Sequence, residues 1–304
     1  MENRHEIDGA GRFEARYLAF LETIANLRPN LHRYCSRMTG SVLDGEDVVQ
    51  EALFQAYRML ETFDDSRPLA PWLFRIAHNR CIDFLRRREV RQEAESAVTE
   101  PDWVMPVDPP GPALGRAVEH LVLSLPPKER ACVLLKDVFD YSLEEIAELV
   151  GSTVGGVKAA LSRGRSKLSA PPERKAARSA KNADEARLLH LYVERFNRRD
   201  WDVLRELIAD DANLRVADRF AGPLSESPYF GNYERWPLPW RLAVGEVDGE
   251  PVIIIYFRES TGLESERVAR LEVAGRRVTR IADYLHCPWV LSAATSVVAG
   301  DPTN

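Results

Sequence analysis

Apolar side chains recur at helical spacing through the first part of the chain. Two sets follow the three- and four-residue spacing of a helix face: Leu18, Leu21, Ile24, Leu27 and Leu31, and Val48, Val49, Ala52, Phe54 and Tyr57. This pattern predicts helices from about Phe13 to Arg91. The pattern is lost from Glu89 to Gly111, which is rich in proline and acidic residues. It returns from Ala113 to Leu168.

The last third of the chain has a different pattern. Glu185 to Ile208 predicts one helix and a short second one, separated at Arg199-Asp200. Strand-like segments follow at about 213–217, 240–247, 250–259, 266–274 and 277–285. Asp248-Gly249 and Ala274-Gly275 lie between strand segments and predict hairpin turns. We therefore expect an α+β domain with an antiparallel sheet.

These changes of pattern predict five segments. They are a helical domain at 12–91, an acidic proline-rich linker at 92–112, a second helical domain at 113–170, a basic linker at 171–183 and the α+β domain at 184–295.

The segment from Ser142 to Leu168 predicts a helix-turn-helix. Ser142 and Glu145 form an S-x-x-E capping box, which starts a helix. Gly151 ends this helix, and Ser152 or Thr153 caps the next one. A short turn containing glycine between two helices is the geometry that places the second helix in the major groove of DNA.

Charge supports this interpretation of the second helix. From Lys158 to Lys181 there are eight Lys or Arg residues, and Glu173 is the one acidic residue among them. A surface that binds phosphates needs such an imbalance, although basic residues also commonly form an ordinary solvated face. The whole chain carries a net charge of −6, so contacts with nucleic acid must be local. Our candidates for phosphate or base contacts are Lys158, Ser162, Arg163 and Arg165.

Composition limits the remaining chemistry. Cys35, Cys81, Cys132 and Cys287 are far apart, which predicts buried thiols in a reducing compartment. The sequence has no apolar run of membrane-spanning length, so we expect a cytoplasmic protein. No catalytic residue, cofactor or metal site is predicted.

Two segments of the N-terminal half carry a family resemblance. Residues 44–88, which include DGEDVVQEALFQAYR and WLFRIAHNRCIDFLRRR, resemble region 2 of the sigma-70-family initiation factors. Residues 119–168, from EHLVLSLPPKERACVLL to the helix-turn-helix, resemble region 4. The two blocks joined by a short linker are similar to the extracytoplasmic-function (ECF) sigma group. Residues 185–214 resemble the opening helices of SnoaL-like domains, which form a cone with an internal pocket.

The resemblance implies a multidomain fold. All-α sigma region 2 and region 4 helical domains would be followed by an α+β SnoaL-like cone-shaped domain. It also implies a transcription initiation factor that binds core RNA polymerase, recognises two elements of promoter DNA and assists promoter melting. In a subset of ECF factors with such a tail, the tail modulates the factor in cis.

The resemblance also assigns residues. Polymerase docking falls on Asp47, Gln50 and Glu51. Helix capping is the alternative explanation for the acidic residues of this segment. Asn79, Asp83 and Arg86 would face the downstream promoter element, and the loop Asp64–Pro71 would hold a flipped-out base. We expect Trp72 to be a core residue. Gly155-Gly156 departs from the family pattern, and either close approach to a phosphate or tolerated drift explains it.

The C-terminal domain offers a candidate pocket for an unidentified small ligand. Polar or aromatic residues that fit a cavity lining are Asp218, Tyr229, Tyr233, Trp236, Trp240, Arg258, Asp283 and His286, of which we select Trp236, Trp240, Arg258 and His286. Ordinary core or surface positions are the alternative for each. Two other functions remain open at this point: a DNA-binding regulator without polymerase docking, and a SnoaL-like pocket enzyme fused to a DNA-binding module.

Overall fold

The computed structural model describes residues 3–64, 66–96, 123–169, 183–258 and 264–300. They belong to two compact units, Met1–Ala176 and Ala177–Asn304. Within these ranges, no helix is both long enough and apolar enough to cross a bilayer. Most of the linker predicted at 92–112 and nearly all of the one predicted at 171–183 lie outside the described residues.

The first unit is helical. Its helices are α1 (Asn3–Thr39), α2 (Val42–Met59), α3 (Leu69–Ser96), α4 (Pro127–Val133), α5 (Leu143–Leu149) and α6 (Val154–Ser169). Helix α3 continues to Ser96, five residues past Arg91, the predicted end of the first helical domain. Gly40 separates α1 from α2 with φ of 83°, a conformation that side chains with a Cβ rarely adopt. Ser41 then caps α2 by accepting a hydrogen bond from the Asp44 amide.

Helix α4 begins at a proline and ends in an unusual turn. Pro127 stands at its first position, where the missing N–H has no intrahelical partner. The helix continues directly into a π-helical turn, Leu134–Val138, in which the Phe139 amide donates to the Leu134 carbonyl. Asp140, with φ of 55°, ends the turn. Phe139 and Tyr141 therefore follow a widened turn.

One hydrophobic core joins α1, α2 and α3 to α4, α5 and α6. The ring of Phe139 lies 5.9 Å from that of Tyr34 and 6.1 Å from that of Phe74. The Arg130 guanidinium donates to the carbonyl oxygens of Met38, Leu123 and Leu125. We call this contact between the two sets of helices the junction.

Part of the apolar pattern is not buried. Leu18 is 59% exposed, Leu21 43%, Phe54 65% and Tyr57 47%. The spacing correctly predicts helices, but an apolar side chain at helical spacing is buried only where another element covers it. On α2 the burial falls instead on residues such as Val48, Val49 and Ala52.

The second unit is a sheet with helices. Its helices are α7 (Ala183–Asn197), α8 (Trp201–Glu206), α9 (Tyr229–Glu234) and α10 (Trp289–Ala293). Its strands are β1 (Ile208–Val216), β2 (Phe220–Pro223), β3 (Trp240–Val247), β4 (Glu250–Arg258), β5 (Glu264–Ala274), β6 (Arg277–Asp283) and β7 (Val297–Val298). The strand order is β2-β1-β6-β5-β4-β3-β7.

The sheet is mixed, so the expectation of an antiparallel sheet was wrong. Strands β1 and β6 pair in parallel, while the other recorded pairs are antiparallel. A parallel pair needs a long connection, and local periodicity carries no information about such a distant partner. The turn predictions are confirmed: Asp248, Gly249 and Gly275 have positive φ, as does Arg199 between α7 and α8. Strands β2 and β7 were not predicted.

Candidate nucleic-acid interface

The helix-turn-helix has the predicted local structure. The Ser142 hydroxyl accepts a hydrogen bond from the Glu145 amide, and the Glu145 carboxylate accepts one from the Ser142 amide at 2.7 Å. Gly151 adopts φ of 60° between α5 and α6. Helix α6 buries Val157, Ala160, Leu161 and Gly164.

The four residues predicted to contact DNA on α6 are all exposed. Three of them, Lys158, Ser162 and Arg165, line one concavity of about 530 Å³ together with Lys136, Leu143 and Leu161. Arg163 lies on the opposite flank of the exposed helix face, near Lys167, because residues four apart are neighbours on a helix. The recognition helix therefore presents basic groups on both flanks.

Two carboxylates outside α6 pair with these basic groups. Glu129 accepts from Arg163 Nε at 2.8 Å and from Lys167 Nζ at 2.9 Å. Asp137 accepts from Arg165 Nε at 3.2 Å and from Arg165 Nη2 at 2.5 Å. The hydrogen bonds from Lys167 and Arg163 hold the pKa of Glu129 below its ordinary value. The hydrogen bond to Asp137 raises the pKa of Arg165.

Neither carboxylate was predicted from the sequence. Glu129 precedes Arg163 by 34 residues and Asp137 precedes Arg165 by 28, so neither pair has the helical spacing that reveals local ion pairs.

The two glycines of the recognition helix have different surroundings. A Cβ at position 156 would lie 2.6 Å from the Ser152 hydroxyl, so crowding at the cap favours Gly156. A Cβ at position 155 would approach only the Thr153 hydroxyl, at 3.9 Å. Gly155 is exposed and has room for close approach of a ligand.

Helix α3 presents the second predicted interface. Asn79, Asp83 and Arg86 are exposed and recur at intervals of four and three residues, so they share one face. Arg80 lies beside this face, with Nη1 3.9 Å from Asp83 Oδ2 and Nε donating to Gln55 Oε1 at 2.7 Å. A polar and basic strip therefore runs along α3.

The loop predicted to hold a flipped base is described except for residue 65. Asp64 Oδ1 accepts from the Ser66 amide at 3.0 Å and from the Ser66 hydroxyl at 2.8 Å. Arg67 pairs with Glu148 of α5 at 2.8 Å, so this loop contacts the helix-turn-helix. Trp72 packs at 4.7 Å from Phe63 and against the core, which supports its expected core position.

The predicted docking residues on α2 differ in exposure. Asp47 is only 7% exposed, and Gln50 donates to the buried Glu46 at 3.1 Å. Glu51 is more exposed and lines a concavity of about 450 Å³ with Phe54, Gln55, Arg58, Met59 and Arg80. The accessible part of α2 thus lies toward its C-terminal end and combines charged with apolar groups.

Two family models match the N-terminal unit. Sigma-70 region 2 matches residues 23–91, and Sigma-70, region 4 matches residues 115–168. The ECF RNA polymerase sigma factor SigW of Bacillus subtilis (strain 168) is 35% identical, over 49% of this chain and 87% of its own length. The ECF RNA polymerase sigma factor SigG of Mycobacterium tuberculosis (strain CDC 1551 / Oshkosh) is 30% identical, over 85% of this chain and 79% of its own length.

The chain belongs to the ECF sigma factors. Its function is therefore that of a promoter-specificity subunit of RNA polymerase, a class that binds core polymerase and promoter DNA and performs no enzymatic reaction. Family membership also decides against the DNA-binding regulator and the pocket enzyme.

The C-terminal unit of this sigma factor is similar to a candidate ketosteroid isomerase from Kribbella flavida DSM 17836. The two are 23% identical, with a TM-score of 0.27, over 33% of this chain and 76% of that one. We transfer no function from this likeness.

The interior of the C-terminal unit contains one buried carboxylate. Asp283 Oδ2 accepts from the hydroxyls of Tyr229 at 2.9 Å and Tyr233 at 2.7 Å, and Oδ1 accepts from the Leu285 amide at 2.8 Å. Burial raises the pKa of Asp283, while these hydrogen bonds oppose the rise. Aromatic rings fill the space around it, with Phe196 within 6.4 Å of Tyr229, Phe230, Tyr233 and Trp240.

The predicted pocket residues differ in exposure. Trp236 and Trp240 are half-buried and pack against Tyr233, with ring centroids 6.5 and 5.5 Å away. Arg258, Asp218 and His286 are exposed. Partial burial and the neighbouring Arg219 lower the pKa of His286, whereas Asp283 raises it.

The core between α1 and α3, next to the junction, is also partly polar. The Tyr34 hydroxyl is 2.8 Å from His78 Nδ1, and burial lowers the pKa of His78 to about 4. Burial also raises the pKa of the Cys35 thiol, which interacts with Cys81. All four cysteines are buried free thiols, as predicted.

Proposed function

We propose that this ECF sigma factor reads the upstream promoter element with α6 and the downstream element with α3. The observation that carries the proposal is the exposed basic face of α6, with Lys158, Arg163 and Arg165 behind a correctly capped turn. Ser162 lies between them. On α3, Asn79, Asp83 and Arg86 provide donors and an acceptor for bases of the melted strand.

Core polymerase docks, in this proposal, on the exposed end of α2. Glu51 supplies negative charge there, and Phe54 and Met59 supply apolar surface that no described element covers. Asp47 and Gln50 contribute mainly to packing within the unit. A partly apolar, partly charged helix face of this kind suits a helical partner.

The C-terminal unit modulates the sigma factor in cis and acts in the cytoplasm with it. The SigG match covers 85% of this chain and so extends well into this unit. Trp236 and Trp240 are the better candidates for contact with a small ligand, because they border the aromatic cluster and stay partly accessible.

A reconstituted transcription assay tests the proposal. Purified core polymerase is supplied with the full chain or with a chain ending at Pro171, and transcription is measured from DNA upstream of the gene that encodes the protein. We expect both chains to support initiation at different levels. No transcription and no core binding by either chain would refute the sigma assignments, and equal behaviour would refute modulation in cis.

A pair of variants tests the docking surface. Phe54→Ser should weaken core binding about tenfold without lowering stability, since 65% of this side chain is already exposed. Val138→Ser is the matched control, because Val138 is 40% exposed and lies outside the proposed surface. Equal core affinities for the two variants would remove α2 from the interface.

A further inference from the structure

The basic groups of α6 are held by carboxylates in two different geometries. Glu129 is shared by two cations and accepts from Arg163 through Nε alone. Asp137 instead pairs with one cation, Arg165, through two donors. These two arrangements have different consequences for DNA binding.

Sharing by two cations leaves positive charge available. Glu129 is almost fully buried, whereas the side chains of Arg163 and Lys167 are about half exposed, at 57% and 50%. Two cations around one carboxylate keep a net charge of +1, and Arg163 retains both terminal amino groups for another acceptor. The buried carboxylate therefore fixes the direction of Arg163 without neutralising this flank.

The bidentate pair has the opposite effect. Two of the nitrogen donors with which Arg165 would bind a phosphate or a base face Asp137, and the net charge of this pair is zero. Both side chains are substantially exposed, at 54% for Arg165 and 38% for Asp137. Exposed ion pairs are only weakly stabilising, so a phosphate can replace this carboxylate.

We propose that two carboxylates outside the recognition helix set its DNA affinity in opposite directions. Glu129 positions Arg163 and Lys167 for phosphate contact, whereas Asp137 masks Arg165 until DNA displaces it. The proposal rests on the assignment of α6 as the reader of the upstream element. It adds two acidic residues that tune this reader.

A variant without the charge of Asp137 tests whether this residue masks Arg165. The full chain is combined with core polymerase, and binding to a duplex of the DNA upstream of its gene is measured by fluorescence anisotropy between 50 and 200 mM salt. Asp137→Asn should raise the affinity about three- to tenfold and steepen the slope of log K against log salt by about 0.9, the value of one phosphate contact. Glu144→Gln is the matched control, an equal charge change on the exposed surface of α5. Equal gains in DNA affinity for the two variants would overturn the proposal that Asp137 masks Arg165.

A double variant separates masking from general repulsion. In an Arg165→Ala background, Asp137→Asn should give no gain, because the group that it releases is absent. A gain that persists without Arg165 would show that Asp137 repels DNA directly, and would overturn this arm of the proposal.

The proposed role of Glu129 predicts a change in DNA binding opposite to the one that net charge alone predicts. Glu129→Gln makes the surface more positive, yet it should weaken binding about five- to tenfold because Arg163 and Lys167 lose their common acceptor. Arg163→Lys keeps the charge and leaves the core untouched, and should weaken binding similarly, since one ammonium cannot serve Glu129 and a phosphate in the same geometry. Stronger DNA binding by Glu129→Gln, or unchanged DNA binding by Arg163→Lys, would overturn the proposal that Glu129 positions Arg163 and Lys167.

Two further variants separate this proposal from the one on which it rests. Lys158→Ala and Arg163→Ala should each weaken DNA binding. If neither does, α6 is not the reader and the assignment of the upstream element fails. If both do while Asp137→Asn matches Glu144→Gln, the reader stands and the masking proposal fails.

Discussion

The two cores of this sigma factor bury their polar groups in different places. In the C-terminal unit the buried carboxylate of Asp283 lies inside one body, where α9 and the end of β6 close around it. In the N-terminal unit some buried polar groups lie between α1 and α2, where Glu46 pairs with Arg28. Others lie at the junction, where Arg130 binds the Met38 carbonyl of α1, or next to it, where Tyr34 meets both His78 and Phe139.

This difference suggests that one core holds a single packing arrangement and that the other can be divided. In a closed cluster such as that of Asp283, displacement of one member also breaks hydrogen bonds of the others. The cluster therefore stabilises a single packing arrangement. In the proposed function, regions 2 and 4 read separate promoter elements, so the contact between them must be able to change. Besides its apolar core, this contact includes a half-buried ring, an arginine on carbonyl groups and a surface ion pair, and we expect that it can be divided.

Removal of the buried carboxylate should have the largest effect. Asp283→Ala leaves three buried donors without an acceptor, at about 1–3 kcal/mol each before relaxation, so we expect a loss of about 3–5 kcal/mol in the free energy of unfolding. Urea unfolding followed by tryptophan fluorescence measures it. Asp283→Asn keeps an acceptor and should lose about half as much. A loss below about 1 kcal/mol for Asp283→Ala would show that the cluster does not fix the packing.

Truncation of the junction ring should open the N-terminal core. Phe139→Ala removes the ring between Tyr34 and Phe74, and we expect a cost of about 2–3 kcal/mol because the site is only partly buried. Alkylation of Cys35 and Cys81, followed by mass spectrometry, should accelerate at least tenfold, since both thiols are fully buried. Val138→Ala, at the neighbouring exposed position, should leave labelling unchanged. Unchanged labelling in Phe139→Ala would contradict a divisible junction.

The N-terminal unit should also lose stability in mild acid. The pKa of His78 is about 4 in the folded chain and about 6.5 when unfolded, so the unfolded state binds the extra proton. Stability is therefore complete above pH 6.5 and falls as the pH drops toward 4, by about 2 kcal/mol between pH 7.5 and 5. Unfolding free energies across this range should show a smaller fall in His78→Gln, which does not titrate there. A parallel fall in both proteins would assign the acid sensitivity elsewhere.

Loss of the surface ion pair should have the smallest effect. Arg67 and Glu148 are both at least half exposed, so Arg67→Ala should cost less than about 1 kcal/mol. Thiol labelling at 0.5 M salt should then be the same in the variant and the parent, because salt already screens the pair. Much faster thiol labelling in Arg67→Ala than in the parent would mean that the junction depends on this surface ion pair and not on Phe139.

Local features of this fold were predictable from the sequence. The Ser142–Glu145 capping box, the Gly151 turn and the hairpin at Asp248-Gly249 depend on residues a few positions apart. Their geometry follows from side-chain hydrogen bonds and from positive φ, which the residue types reveal directly. The exposed positions of the α6 candidates followed from helical spacing in the same way.

Non-local features were not predictable. The parallel pairing of β1 with β6, the exposure of Phe54 and the acceptors of Arg163 and Arg165 each depend on a partner that is distant in the sequence. Periodicity identifies an apolar or basic face but not the surface that meets it. The exposure of Arg258 and His286 was not predictable for the same reason, whereas aromatic contacts were expected for residues such as Trp236 and Trp240.

The π-helical turn at Leu134–Val138 has a consequence for chain length. A π turn closes its hydrogen bond around one residue more than an α turn, as the Phe139 amide and the Leu134 carbonyl show. Loss of one residue here, such as the exposed Val138, would restore ordinary α-helical spacing and leave Phe139 and Tyr141 facing the same neighbours. We therefore expect regions 2 and 4 to stay in register through a single-residue deletion at this point.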